Sequence, residues 1–173
     1  VSNTAIAVHP DVDYVVVEVT VEENREVLVV AEPLLSALTG EIKVLKRLKG
    51  KDLEHTKYQR PLDLVDIPDS HFVVLATYVT TEDGTGLVHQ SPAFGADDLA
   101  VCRGYGLPVV NPIAPDGTFL SDVPLVGGIF FKDADKILVK ELKSRGVLYK
   151  HQPFEHPYPH CWRCHTALIY YAQ

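Results

Sequence analysis

The chain has 173 residues, 46% of them apolar, and a net charge of −7 at pH 7, enough for one domain with its own core and unlike a disordered or low-complexity segment. The acidic balance argues against extended duplex binding, which relies on many Lys and Arg contacts to phosphate, but leaves room for a pocket that takes a single-stranded end. Apolar runs such as Val15-Val16-Val17 are only strand-sized, so no membrane span is expected; three cysteines (Cys102, Cys161, Cys164) and a start unlike a secretory leader point to a reducing cytoplasm.

In chain order, residues 14–21 alternate with a period of two. Tyr14, Val16, Glu18 and Thr20 fall on one face of a strand, and Val15, Val17, Val19 and Val21 on the other. Glu22-Glu23-Asn24-Arg25 is a turn, and residues 26–31 return to complete a hairpin. Residues 33–38 form a short helix with Pro33 in its first turn and Gly40 closing it. Residues 42–48 alternate between apolar and basic and read as strand in preference to helix. The basic cluster there (Lys43, Lys46, Arg47, Lys49, Lys51) is either a solvated face or a surface that brushes a phosphate backbone.

Residues 71–78 are a strong strand, and 87–90 a short one entered through Gly84-Thr85-Gly86. Gly95 opens a helix that runs to residue 105 and is ended by Gly106 and Pro108. Residues 133–145 give the clearest helix, with Ala134, Ile137, Leu138 and Leu142 on one face and Gly146 as its stop. Residues 151–160, rich in proline and aromatics, are an ordered loop, and Tyr170-Tyr171-Ala172-Gln173 belong to a strand. The sum is an α+β domain with a small β-barrel core and a few flanking helices. A start at Val1, the lack of methionine and an end within a strand suggest one domain, 1–173, excised from a longer chain.

Chemistry is concentrated in Gly84-Thr85-Gly86-Leu87-Val88-His89-Gln90-Ser91-Pro92-Ala93-Phe94-Gly95-Ala96-Asp97-Asp98. Glycines at the turns, Gly86 among them, let backbone approach a ligand. Polar groups such as His89, Gln90 and Asp98 gather at strand and helix ends, where binding residues tend to lie. Each also has a plain structural role open to it. Asp97 and Asp98 complement a helix N-terminus, and His89 serves equally as a satisfied core histidine. Adjacent helical residues point about 100° apart, so one of the two Asp can face a pocket while the other faces water. Cys102, within the helix, reads as a small core residue.

The stretch Val-His-Gln-Ser-Pro-Ala-Phe-Gly-Ala-Asp-Asp at 88–98 resembles the segment that marks the editing (connective peptide 1) domains of the isoleucyl, valyl and leucyl tRNA synthetases. Its His89 form is similar to the isoleucyl branch; the valyl branch has lysine there. Three further segments agree in order: Ser2-Asn3-Thr4-Ala5-Ile6-Ala7-Val8-His9-Pro10 at the opening, Lys132-Asp133-Ala134-Asp135 at a helix start, and His156-Pro157-Tyr158-Pro159-His160-Cys161-Trp162-Arg163-Cys164 near the exit.

The resemblance covers essentially the whole chain. It implies a hydrolytic pocket that clears valine from the 3′ end of isoleucine tRNA and also takes valyl-adenylate, working beside the remainder of a synthetase chain. In it, the residue matching Asp98 anchors the substrate ammonium, that matching His89 lines the side-chain pocket and excludes isoleucine, and that matching Asn3 serves clearance of mischarged tRNA. Phe94 and Tyr158 match positions near the adenosine. The family pattern also has a Thr-rich stretch just upstream of the Asn3 position, so part of the site is expected to lie outside these residues.

Hydrolysis of an already activated ester needs a positioned water more than a strong nucleophile, and no Ser-His-Asp or Cys-His motif is present. The Cys161-Trp162-Arg163-Cys164 spacing is half of a structural zinc site, which wants four ligands. His156, His160 and His165 lie near it, and the resemblance places a second Cys pair elsewhere in some members; no cofactor is expected for these residues alone. A non-catalytic module that binds the tRNA 3′ end is the alternative. A zinc nucleoside deaminase is excluded, because no His-x-Glu precedes a Pro-Cys-x-x-Cys.

Overall fold

A computed structural model describes residues 1–152 and 157–172. Its strands lie in two three-stranded sheets. In the first, β1 (Ala5–Val8) is central, parallel to β5 (Val73–Leu75) and antiparallel to β6 (Leu87–Gln90). In the second, β2 (Asp13–Val21) is central between β3 (Asn24–Ala31) and β4 (Glu41–Lys49), both antiparallel to it. The α+β class expected from the sequence is what is found. The ladders draw two separate sheets, however, and no closed barrel among the described residues.

The alternation of β2 explains the second sheet. Val15, Val17 and Val19 are buried against Val30, Leu34 and Leu38, while Val16, Glu18 and Thr20 face outward and are only half-buried. Residue 45 is skipped in the pairing with β2, a bulge between Val16 and Val17, and Leu45 is left exposed. On β4 the basic cluster is partly matched by acids: Arg47 pairs with Glu32 at 2.9 Å and Lys49 with Asp13 at 2.8 Å. These are exposed pairs on an edge strand, the solvated-face alternative for that cluster.

Tyr14 joins the two sheets. It is fully buried; its hydroxyl donates to the Gly86 carbonyl (2.6 Å) and accepts from the His9 N–H (3.1 Å). Gly86 has φ +75°, and a Cβ there would stand 2.5 Å from that of Ala31. Only glycine lets the turn before β6 lie this close to the hairpin.

Helix α1 (Ala96–Gly104) starts after Gly95 as expected, and buries Leu99 and Cys102; Cys102 packs against Ala5, Ala7 and Val74 of the first sheet. Helix α2 (Phe131–Ser144) begins two residues earlier than its hydrophobic spacing predicts. It buries Ala134 and packs Leu138 inward, while Ile137 is left 36% exposed, so the apolar face is narrower than the spacing implies.

Other expectations change more. Residues 71–78 supply only the three-residue β5, because their backbone also bonds the irregular chain before it: Tyr58 N–H donates to His71 O and Val73 N–H to Thr56 O. The helix expected at 33–38 is a 3₁₀ turn, Glu32–Ala37. Residues 170–172 form no strand, although the Ala172 N–H donates to the Ala93 carbonyl at 3.1 Å. Among the described residues no helix is long and apolar enough to cross a membrane.

Candidate functional site

The opening strand and β6 build the site. Ile6 pairs with His89 and Val8 with Leu87, so these four side chains share one face of the first sheet. Beneath that face lies a cavity of about 510 Å³, lined among others by Asn3, Ile6, Tyr58, Leu62, Leu87 and His89. The walls are mostly apolar, and a few polar groups converge on them, the usual make-up of a small-molecule pocket.

Asn3 is the hub of those polar groups. Its Nδ2 lies 2.7 Å from His89 Nδ1 and 3.0 Å from the Ala5 carbonyl. The Tyr58 hydroxyl donates to Asn3 Oδ1, and His71 Nε2 donates to the Asn3 backbone carbonyl at 3.1 Å. His89 opens onto the cavity, yet surrounding protein desolvates its ring and lowers its pKa to about 4. It is therefore neutral at physiological pH.

Asp98 lies elsewhere. Helix α1 packs on the opposite face of the first sheet, that of Ala5 and Ala7, and Asp98 is not among the residues lining the cavity. The buried Ser91 N–H donates to Asp98 Oδ2 at 2.7 Å, and the carboxylate packs over Gly95, where a Cβ would come within 2.9 Å of it. Burial raises its pKa, outweighing the Ser91 bond that lowers it, and Asp97 adds to the rise. Asp97 itself is exposed. The strand's alternation thus brings His89 and Asn3 together and sets Asp98 apart, at the far end of β6.

Gln90, one residue past His89, points the other way and is fully buried. Tyr78 donates to its Oε1 at 2.6 Å, and its amide N–H groups reach the Val88 and His89 carbonyls. The Tyr78 phenol is pushed up to about 12 by desolvation and by Asp98. Gly86 is likewise enclosed, its close approach made to Ala31 and its carbonyl taken by Tyr14.

Phe94 lines a second cavity, of about 220 Å³, with Ile113, Phe119, Phe131 and Asp135, and meets Tyr171 edge-on at 6.3 Å. Tyr158 donates to the Leu168 carbonyl (2.8 Å) and carries Lys132 Nζ over its ring at 3.8 Å. It does not line the Asn3–His89 cavity.

Cys161 and Cys164 form a tight knuckle: His165 N–H donates to the Cys161 carbonyl and Cys161 N–H to the Thr166 carbonyl, both at 2.9 Å. Hydrogen bonding with Thr166, side chain and backbone, and with the Cys161 thiol lowers the Cys164 pKa to about 7. The pair offers two thiol donors. Among the described residues no cluster of three or more His, Cys, Asp or Glu could hold a metal ion; a structural zinc site wants four donors. His156, a further donor suggested by the sequence, lies outside the described residues.

Tyr58 was not singled out by the sequence. It sits in irregular chain between β4 and β5, where no periodicity marks a facing side chain, and only its aromatic character within Lys57-Tyr58-Gln59-Arg60-Pro61 gives a signal.

No family model matches the sequence. Among curated proteins, the isoleucine–tRNA ligase of Streptomyces coelicolor is 63% identical over all of this chain, which covers 16% of that protein. The isoleucine–tRNA ligases of Thermus thermophilus and Methanocaldococcus jannaschii are 44% and 38% identical over 98% and 99% of the chain, covering 16% and 18% of their lengths. The chain therefore spans about one sixth of the relatives it matches. Among solved structures, the GlLeuRS-CP1 crystal structure superposes with a TM-score of 0.65 at 20% identity, over 89% of this chain and 80% of that one. At that identity it establishes a shared fold.

Proposed function

This chain belongs to the isoleucine–tRNA ligase family as one segment of about a sixth of its members' length, folded as a synthetase CP1 domain, and on that footing we propose that it is the segment that hydrolyses wrongly attached valine from isoleucine tRNA. The observation that carries the reading is the cavity under β1 and β6, mostly apolar, with the linked Asn3, Tyr58 and His89 groups converging on it. A branched aliphatic side chain fits its chemistry, and a neutral His89 ring limits how large that side chain can be.

Valine and isoleucine differ by one methylene, worth only about 1–3 kcal/mol to a synthetic pocket; this pair is itself the reference case for double-sieve discrimination, and the figure is the general one for that case. A second pocket that admits valine and rejects isoleucine by size removes the residual error. We place the ammonium of the amino acid toward the end of β6, where Asp98 is tied to Ser91. Asn3 and His89 hold the ester end, so that water attacks a positioned carbonyl. Valyl-adenylate presents the same aminoacyl group and is the second substrate in this reading. The rest of the synthetase delivers the tRNA end.

The test is parallel deacylation of Val-tRNA and Ile-tRNA by the full-length synthetase with and without this segment. The expected result is hydrolysis of Val-tRNA alone, lost with the segment. Binding of the tRNA end without hydrolysis would favour the non-catalytic module instead.

A further inference from the structure

The hydrogen bonds around Asn3 determine more than its position. The Ala5 carbonyl oxygen can only accept, so the Asn3 atom 3.0 Å from it is the amide NH₂. That group has two hydrogens: one goes to Ala5, and the other points to His89 Nδ1 at 2.7 Å. His89 Nδ1 is therefore an acceptor and carries no proton. A neutral imidazole with a bare Nδ1 has its proton on Nε2.

The other end of the amide is bonded as well. Tyr58 donates to Asn3 Oδ1, and desolvation raises its phenol pKa well above the ordinary value, keeping it protonated and a donor. A flipped amide would set Oδ1 against the Ala5 carbonyl, two acceptors facing each other, whereas the Tyr58 hydroxyl can donate to an oxygen or accept from an NH₂; the Ala5 carbonyl therefore fixes the orientation. Only one orientation satisfies the Ala5 carbonyl, and Tyr58 accommodates it by donating to Oδ1.

We infer that Asn3, its amide oriented by the Ala5 carbonyl, is a positioning residue that holds His89 as the neutral Nε2–H tautomer, so that the cavity meets a hydrogen-bond donor and not a basic lone pair. His89 then does not abstract a proton from water. It is a fixed wall with one N–H, suited to an ester carbonyl or a ribose oxygen. The substrate assignment rests on the editing reading above; the tautomer does not, since it follows from bonds within the chain.

The experiment is a long-range ¹H–¹⁵N correlation spectrum of the ¹⁵N-labelled chain at neutral pH without substrate, with His89 assigned by its absence in His89→Gln. The expected spectrum has His89 Nδ1 at an unprotonated, pyridine-like shift and Nε2 at a protonated, pyrrole-like one. In Tyr58→Phe the two shifts stay apart as in the parent, because the Ala5 carbonyl still orients the amide. In Asn3→Asp, where a carboxylate can only accept, the proton transfers to Nδ1 and the two shifts exchange.

A protonated Nδ1 in the parent chain would overturn the inference, as would an unchanged His89 spectrum in Asn3→Asp. The parent spectrum alone decides the first point even if a variant fails to fold. Because no substrate is present, a failed tautomer result leaves the deacylation reading standing, and failed deacylation leaves the tautomer standing.

Discussion

Asp98 has a structural role in the chain and a proposed one at the substrate, and two substitutions divide them. Its carboxylate accepts the N–H of Ser91, a residue only 7% exposed, at 2.7 Å. Asp98→Ala leaves that donor buried without a partner, which costs about 1–3 kcal/mol, and removes a first-turn acid worth about 0.3–1 kcal/mol to its helix. Against this, the raised pKa of Asp98 reflects the cost of burying its carboxylate, which alanine relieves. The net loss is about 1–2 kcal/mol. At an m-value of about 2 kcal/mol/M, the urea midpoint falls by about 0.5–1 M.

Asp98→Asn keeps an acceptor oxygen for Ser91 and shifts stability by less than about 1 kcal/mol. Both variants remove the negative charge proposed to hold the substrate ammonium. Loss of such a desolvated pair costs about 2–5 kcal/mol, tens- to thousands-fold in rate. Urea unfolding of the chain and Val-tRNA deacylation by the full-length enzyme are the paired assays. Parent-level deacylation by Asp98→Asn would refute the ammonium role, and an unmoved urea midpoint in Asp98→Ala would refute the structural one.

His89→Ala enlarges the cavity and is expected to let the full-length enzyme hydrolyse Ile-tRNA while keeping much of its action on Val-tRNA; continued sparing of Ile-tRNA would mean that another residue sets the size limit. Tyr14→Phe removes a buried hydroxyl that serves both Gly86 and His9, and should lower unfolding stability by about 1–3 kcal/mol, measurable in urea; no loss would mean that the joint between the sheets is held by packing alone. Because His89 protonates near pH 4 when folded and near its ordinary 6.5 when unfolded, the unfolded chain binds more protons between those values. Its contribution is full above about pH 6.5 and is lost as pH falls through about 4, on the order of 1 kcal/mol after discounting for water access to the ring. His89→Gln should flatten that part of the stability–pH curve, and an identical curve in both proteins would count against the assignment.

Local pattern was enough for much of this molecule. The β2–β3 hairpin was legible because Val15, Val17 and Val19 alternate along β2 and leave one face that must be buried, and α1 because Gly95 precedes a helical run with acids in its first turn. The resemblance carried by residues 88–98 led to the family that the relatives bear out. Which candidate residues meet was a different matter. The period of two places His89 and Gln90 on opposite faces of β6, but which face carries the cavity and which carries α1 depends on how β1 and β5 close the sheet. Tyr58 reaches Asn3 across 55 residues, and Asn3 reaches His89 across 86. Gly86, whose freedom suggested a ligand, gives that space to Ala31 instead. Hydrophobic period and turn chemistry act between neighbours along the chain, so they specify elements; hydrogen-bond partners this far apart are chosen only when packing excludes water and leaves each buried donor one acceptor within reach.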